Sequence, residues 1–284
     1  MPPSPSAVSP PATFRVLTFN LWADRSETRP ESQSWKRRRP LIESLLRFHR
    51  PDLIGFQEVV HSRALQLAEA LPGHGWIGVG RRDGREGGEL NPIFYRRELF
   101  RPIDSGTFWL SPTPQTPSRG WGAAYPRIAT WAILEETGGN SSGTKFLFCN
   151  THFDHGSPRA RRESAALLLR KLAELAPGPD LNRRRIVAGD LNCRPGSAPH
   201  RLLTAELRDT AACSQELPLG PTPTWRGMFR GMLPPARLDY LLVGAGIAVR
   251  QAAVLADHWD GRFPSDHLPV VADLSFLPET GEPR

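Results

Sequence analysis

Eight polar residues stand at the ends of short apolar runs, and their types form a chemical set. Asn20 follows FRVLTF, Glu58 follows LIGFQ, His152 follows FLFCNT, and Asp190 and Asn192 follow IVAG. Asp239 lies within RLDYLLV, and Asp266 and His267 precede LPVV. Mg²⁺ is a hard cation that takes one or two carboxylates and completes its octahedron with water and substrate phosphate. Mn²⁺ accepts the same oxygen donors. Asn20, Glu58 and Asp266 can supply such oxygens. Asp190 can take a proton from a water that Asn192 orients, since residues two apart in an extended segment share a side. Asp239 is the natural partner for His267, and an imidazole held by a carboxylate keeps one tautomer and favours its charged form. That imidazolium can stabilise charge on a phosphate while His152 holds a second oxygen. The set as a whole fits phosphoryl transfer to water. Singly, each residue has a plainer role: Asn20 in a turn, Glu58 as a helix cap, Asp190 and Asn192 in an Asx turn. Asp239 is harder to dismiss, because a carboxylate inside an apolar strand needs a partner.

Groups at strand ends are held to tight tolerance by a rigid sheet. The apolar runs predict strands at Phe14–Phe19, Leu53–Phe56, Ile93–Tyr95, Ala129–Leu134, Phe146–Asn150, Ile186–Ala188, Leu238–Val243 and Val270–Phe276. Helical spacing predicts helices over Trp35–His49, Ser62–Leu71 and Ala160–Leu175, with a short one inside Gly196–Thr204. Strands and helices alternate, but a hairpin-like stretch over 129–150 breaks the alternation, so this is not a simple doubly wound sheet. No linker-like shift divides the chain. One domain over residues 13–277 is expected, between a Pro-rich tail at 1–12 and a C-terminal tail at 278–284. Pro112–Gly122 and Pro218–Pro235 read as long loops, which inside a compact domain are usually functional.

The segments GDLNCRPGS, PDLIGFQEV, CNTHFDH, RLDYLLV and SDHLPVV resemble the motifs of the endonuclease/exonuclease/phosphatase family, which includes exonuclease III, pancreatic-type deoxyribonuclease and the deadenylases. They occur in family order from Asn20 to His267. The resemblance implies an α/β fold, a four-layer α/β/β/α sandwich of two packed mixed sheets with the site at one end. It places Asn20, Glu58, Asp190, Asn192 and Asp266 where the family binds metal or orients water, and His152, Asp239 and His267 where it binds and activates phosphate. NPIFYRRELF resembles the family strand that turns a polar residue toward substrate, which makes Asn91 a candidate contact. SGTFWLSPTP and SRGWGAAYPRIATWA resemble a bacterial branch of metal-dependent hydrolases. His152 stands where the apurinic endonucleases carry Tyr, which weighs against abasic-site repair.

Around this set lie further candidates for substrate binding. Asp154 and His155 are close to His152, Arg159 and Arg162 open a helix, and Asp24 is a candidate support for a second metal. Trp109, Trp121, Trp225 and Phe229 lie in or beside the long loops and could stack on a base. Trp22 and Trp131 are expected in the core. The chain of 284 residues carries a formal charge of +7 with recurrent Arg clusters, a balance that draws anionic substrates, nucleic acid among them. Cys149, Cys193 and Cys213 are odd in number and lack CxxC spacing, which disfavours a zinc site or disulfide framework and suits a cytoplasmic protein. No apolar run reaches the roughly 18–20 residues that span a bilayer, and the N-terminus lacks a signal-peptide pattern. These features lead to a monomeric metal-dependent phosphodiesterase on nucleic acid or nucleotides. A phosphatase or phosphodiesterase for a small molecule or lipid headgroup is the alternative, and an inactive binding module of the same fold is the third.

Overall fold

The computed structural model describes residues 13–23, 31–138, 143–226 and 234–278. Two six-stranded mixed sheets pack face to face and carry helices on their outer sides. The strands of the first sheet are β1 (Phe14–Asn20), β2 (Leu53–Gln57), β4 (His74–Ile77), β6 (Ile93–Arg96), β13 (Ile247–Val254) and β14 (Val270–Phe276), in the order β13-β14-β1-β2-β6-β4. The second sheet contains β7 (Phe100–Trp109), β8 (Ile128–Glu136), β9 (Lys145–His152), β10 (Arg185–Asp190), β11 (Arg208–Asp209) and β12 (Asp239–Val243), in the order β11-β12-β10-β9-β8-β7. A small ribbon pairs β3 (Val59–Val60) with β5 (Glu89–Leu90). The pairs β1–β2 and β9–β10 are parallel, and the other pairs within the two sheets are antiparallel.

The main helices are α1 (Trp35–His49), α2 (His61–Ala70), α3 (Pro158–Leu175), α4 (Pro179–Arg183), α5 (Ala198–Thr204) and α6 (Thr210–Cys213). The apolar face of α1 and α2, with Ile42, Leu45, Leu46, Ala64 and Leu67, covers the outer side of the first sheet. On the second sheet, Ala165, Leu168 and Leu172 of α3 and Leu203 of α5 do the same. Between the sheets Phe14, Val16, Phe146, Phe148, Ile186 and Ala188 form the shared core. Four layers result, as the resemblance implied.

The eight strands expected from apolar runs are the eight interior strands. The four edge strands, β4, β7, β11 and β13, were not expected. Edge strands are half-solvated and lose the continuous apolar pattern that double-faced burial gives. β7 carries Pro102 and a register shift before Asp104, and β13 has a shift between Val249 and Gln251. The hairpin expected over 129–150 is the antiparallel pair β8–β9. The short helix expected within Gly196–Thr204 covers Ala198–Thr204. Both tails, apart from Pro278, lie outside the described residues. Among the described residues, no helix is long and apolar enough to cross a membrane.

The core changes character along the strands. Alternation puts residues 186, 188 and 190 on the inner face of β10, and they run Ile, Ala, Asp. β9 runs Phe148, Asn150, His152, and β1 runs Val16, Thr18, Asn20. One end of the inter-sheet core is therefore apolar and the other polar. A buried network joins the sheets midway: Gln57 Nε2 donates to Thr18 Oγ1 at 3.0 Å and to Asn150 Oδ1 at 2.7 Å, and Asn150 Nδ2 donates to Phe56 O at 2.8 Å and Pro92 O at 2.9 Å. Residue 55 must be glycine for this network, since a Cβ there would lie 2.7 Å from Asn150 Oδ1.

Candidate active site

Register builds the polar end. Asp190, the last residue of β10, pairs in register with His152 of β9 on one side and Asp239 of β12 on the other. Neighbours across a ladder share a face, so three side chains converge from three adjacent strands. Gly189 makes this row possible: its φ is +154°, and any Cβ would overlap the Thr151 carbonyl oxygen. From the facing sheet, Asn20 at the end of β1 reaches across, and its Nδ2 donates to Asp190 Oδ2 at 3.0 Å and to Glu58 Oε1 at 3.2 Å.

Asp190 Oδ2 is the hub. Besides Asn20 it has His152 Nε2 at 3.5 Å and His267 Nε2 at 3.7 Å. Asp190 Oδ1 accepts from Asn192 N at 2.9 Å, an Asx turn that puts Asn192 in the left-handed region (φ 47°). The pairing of Asp190 and Asn192 thus comes from a turn and not from strand alternation, because β10 ends at Asp190. Glu58 (φ 60°) and Trp22 (φ 57°) are left-handed as well. Such conformations cost on the order of 1–3 kcal/mol each and cluster where geometry is imposed by function. Ala23 N, donating to Glu58 Oε2 at 2.5 Å, helps to hold that carboxylate in place.

His267 Nδ1 lies 2.8 Å from Asp239 Oδ2, which also accepts from Thr224 Oγ1 at 2.6 Å. The two buried histidines are driven in opposite directions. Burial alone would hold His267 neutral, but the charges of Asp239, Asp190 and Asp266 outweigh it and raise its pKa well above the ordinary value. Burial, reinforced by the charges of Arg127 and Arg81, pushes His152 well below the ordinary value. The pair therefore offers one cationic and one neutral imidazole at neutral pH. Burial, and then the charge of Asp239, pushes Asp190 up to about 7, against the opposing pull of His267.

A cavity of about 1120 Å³ opens on this end of the sandwich. Glu58, His152, Asp190, Asn192, Asp266 and His267 line it, together with Arg159 and Trp225. Asn20 and Asp239 lie beneath as buried braces. The Trp225 indole donates to Asp266 Oδ2 at 3.3 Å, and the backbone of Arg226 bonds Asp266 O at 3.0 Å, so this loop is strapped to the SDHL segment.

Several expectations change. Asp154 is fully buried: its carboxylate accepts from Gly156 N (3.0 Å), Ser157 N (2.9 Å), Ala124 N (3.0 Å) and Arg127 Nε (3.5 Å). It braces the turn before α3 and cannot reach a substrate. Asn91 is buried and absent from the cavity wall; its Nδ2 donates to Ile128 O at 2.8 Å, fixing the start of β8. Trp22, expected in the core, stands on the cavity wall with the Arg38 guanidinium 5.1 Å from its ring centroid. Trp109 is packed instead, its indole donating to Arg81 O at 2.7 Å. Trp121 and Trp131 pack against the α3 side of the core. His155 and Arg162 line the cavity. Asp24 and Phe229 lie outside the described residues.

Sequence reading passed over Arg127, Thr224 and Ser265. Arg127 immediately precedes β8 and lines the cavity, yet is only 4% exposed; Nη2 lies 3.0 Å from His155 Nδ1 and Nη1 is buried with no partner. It sits inside SRGWGAAYPRIATWA, where its position just before a strand of the second sheet is the signal that could have singled it out. Ser265 Oγ donates to Asn20 O at 2.7 Å. Hydroxyls of this kind carry no signal in a lone sequence.

The carboxylates of Glu58, Asp190 and Asp266 border one cavity, and among the described residues no Lys or Arg forms an ion pair with any of them. That is the donor set a divalent cation suits. Asp190, Asp239 and His267 also bring ligand atoms within 4.8 Å of one another, a grouping that could hold a metal. A protonated His267 bound to Asp239 has no lone pair to give, however, so the cavity-facing carboxylates are the better-suited donors.

The family model for the Endonuclease/Exonuclease/phosphatase family matches residues 17–267, and the chain belongs to that family. Its members are phosphoesterases and nucleases that use divalent metals. The chain is similar to an endonuclease/exonuclease/phosphatase family protein from Bacteroides thetaiotaomicron, with 32% identity, a TM-score of 0.85, and coverage of 94% of this chain and 99% of that one. It is similar also to a mannosyl-6-phosphatase of the same organism, with 33% identity, a TM-score of 0.84, and 93% and 100% coverage. Carbon catabolite repressor protein 4 homolog 2 of Arabidopsis thaliana is 28% identical over 225 residues, 67% of this chain but only 37% of that protein's length.

Proposed function

We propose that the protein hydrolyses a phosphoester by in-line attack of a water that Asp190 deprotonates. The observation that carries this is the convergence on Asp190 Oδ2 of Asn20, His152 and His267 from both sheets. A general base works best with a pKa near the working pH, and burial moves Asp190 toward it. As the O–P bond forms and the P–O bond to the leaving group breaks, Asp190 takes the proton of the water. His267, kept cationic by Asp239, faces the charge that builds on the phosphoryl oxygens, and Arg127 offers its unpartnered Nη1 to the same group. Asn192 orients the water. Glu58 and Asp266, with Asp190 beside them, would hold a divalent cation, Mg²⁺ by the hardness of its donors; when bound it neutralises phosphate charge and lowers the pKa of water. Asn20, earlier expected as a ligand, uses its oxygen to accept from Trp22 N at 2.9 Å and its NH₂ to bridge the carboxylates, so its role is to space them.

Two substrate readings follow. The arginine-lined cavity and the net charge of +7 favour a diester of nucleic acid or nucleotides. The full-length likeness to a mannosyl-6-phosphatase favours a small phosphomonoester. Hydrolysis of bis-p-nitrophenyl phosphate and p-nitrophenyl phosphate tests the chemistry common to both. Activity with Mg²⁺ or Mn²⁺ should vanish in EDTA and in Asp190→Ala. Unchanged turnover in EDTA overturns the metal-assisted reaction.

A further inference from the structure

The cavity wall carries arginines that have no part in the reaction at Asp190. Five arginines, Arg127, Arg159, Arg161, Arg162 and Arg194, face the carboxylates of Glu58, Asp190 and Asp266. Asp239 and His267 neutralise each other beneath. Asp154 pairs with Arg127 at 3.5 Å, so four arginines stand against the three carboxylates, and a divalent cation would leave a surplus of three positive charges. Discounting Arg162 for its exposed pair with Glu163 (2.8 Å) leaves two. A phosphodiester brings one negative charge, and a monoester at most about two.

The arginines also differ in what holds them. Arg127 is fixed by Asp154 and His155, and Arg161 Nη1 is spent on the carbonyls of Asp154 (2.9 Å) and His155 (3.0 Å). Arg159 and Arg194 are exposed on the cavity wall, and their side chains make no hydrogen bond or ion pair among the described residues. They come from separate segments. Arg159 is in the first turn of α3, and Arg194 lies just before α5, four residues beyond Asp190. The packing of α3 against α5 holds these segments together. The cavity of about 1120 Å³ far exceeds one phosphoryl group.

Resting on the phosphoesterase reading, we infer that Arg159 and Arg194 form a second anion subsite, and that the substrate is a phosphoester carrying a second phosphoryl group. The first phosphate reacts at Asp190 and the second docks against the two free guanidiniums. A sugar bisphosphate and a 5′-phosphorylated oligonucleotide share this chemistry.

Matched pairs separate these sources: glucose 6-phosphate against glucose 1,6-bisphosphate, and the thymidine dinucleotide with and without a 5′-phosphate. In at least one pair the second phosphate should raise kcat/KM tenfold or more. In Arg159→Gln/Arg194→Gln that ratio should fall below twofold, whereas the double Lys variant should retain most of it. A ratio below twofold in both pairs for the native protein, or one that survives the Gln variant, overturns the subsite while leaving phosphoester hydrolysis standing. If no phosphoester is hydrolysed, the phosphoesterase reading fails, and titrating the tryptophan fluorescence of Trp22 and Trp225 decides the subsite. Inorganic pyrophosphate binding tenfold tighter than orthophosphate, with the difference lost in the Gln variant, supports it. Equal affinity overturns it.

Discussion

Replacing Asp154 by alanine should unfold the protein more readily and touch substrate affinity only through its hold on Arg127. The carboxylate is fully buried and satisfies three backbone N–H groups, from Gly156, Ser157 and Ala124, besides facing Arg127. Although burial opposes its charge, the Ser157 N–H, Arg127 and the other two donors hold its pKa below the ordinary value. A buried N–H left without a partner costs about 1–3 kcal/mol, and removing one member of a buried ion pair about 3–5 kcal/mol. These terms overlap, because the turn can open to water and Arg127 keeps His155. The expected loss for Asp154→Ala is therefore about 3–5 kcal/mol, a large part of a typical stability of about 5–15 kcal/mol. Asp154→Asn keeps an acceptor for the turn and should lose about half as much. Urea unfolding with an unchanged m-value measures the loss, and kcat and KM on the same phosphoester measure the site. Stability within about 0.5 kcal/mol of the native protein, joined to a tenfold rise in KM, would refute the brace and return Asp154 to the substrate side.

Asp239→Asn removes the charge that fixes His267, and kcat should fall by about 10²–10⁴-fold in a protein of native circular dichroism; a loss under fivefold would sink the Asp239–His267 pairing. Gly55→Ala forces a Cβ to within 2.7 Å of Asn150 Oδ1 and 3.1 Å of the Ala188 Cβ, and such overpacking should cost about 1–3 kcal/mol, read by thermal unfolding. The two histidines should shape stability on opposite sides of pH 6.5, measured as unfolding free energy in EDTA. His152 binds its proton more weakly folded than unfolded, so its contribution is lost as pH falls below 6.5; each tenfold difference in proton affinity is about 1.4 kcal/mol. His267 binds its proton more strongly when folded, so its contribution is full below 6.5 and is lost as pH rises through its folded pKa. His152→Asn should flatten the acid limb and His267→Asn the alkaline limb, and limbs unmoved by either change would contradict the assignment.

How much of the fold was legible depended on burial. Interior strands such as β9 and β10 are covered on both faces and read as uninterrupted apolar runs, FLFC and IVA. The edges carry a different signal. In β7 only Phe100, Phe108 and Trp109 are buried, while Arg101 to Ser105 are exposed, and Pro102 sits where no ladder donor is needed. In β13 the register shift after Val249 breaks the period of two that would have revealed it. Helices α1 and α3 were clear because a single covered face imposes helical spacing over four or more turns.

Legibility of the site followed the same logic one level up. A residue at the end of an interior strand is both easy to see and rigidly placed, which is why His152, Asp190 and Asp239 stood out in the sequence, and register puts them in one row. Residues outside strands were harder. Asp154 has the same composition signal as a catalytic acid, and only its four converging donors distinguish a brace from a ligand. Arg127 has the reverse history. Its neighbours in sequence look like loop, yet Asn91 pins the first residue of β8 beside it, and Asp154 pins its Nε, leaving its Nη1 buried with no acceptor among the described residues. A donor held by that much structure and left unsatisfied is costly unless something else supplies the acceptor. The polar end of the sandwich therefore carries, in Arg127 Nη1 and the converging carboxylates, a demand for both an anion and a cation, which a metal-bound phosphoester meets with one ligand.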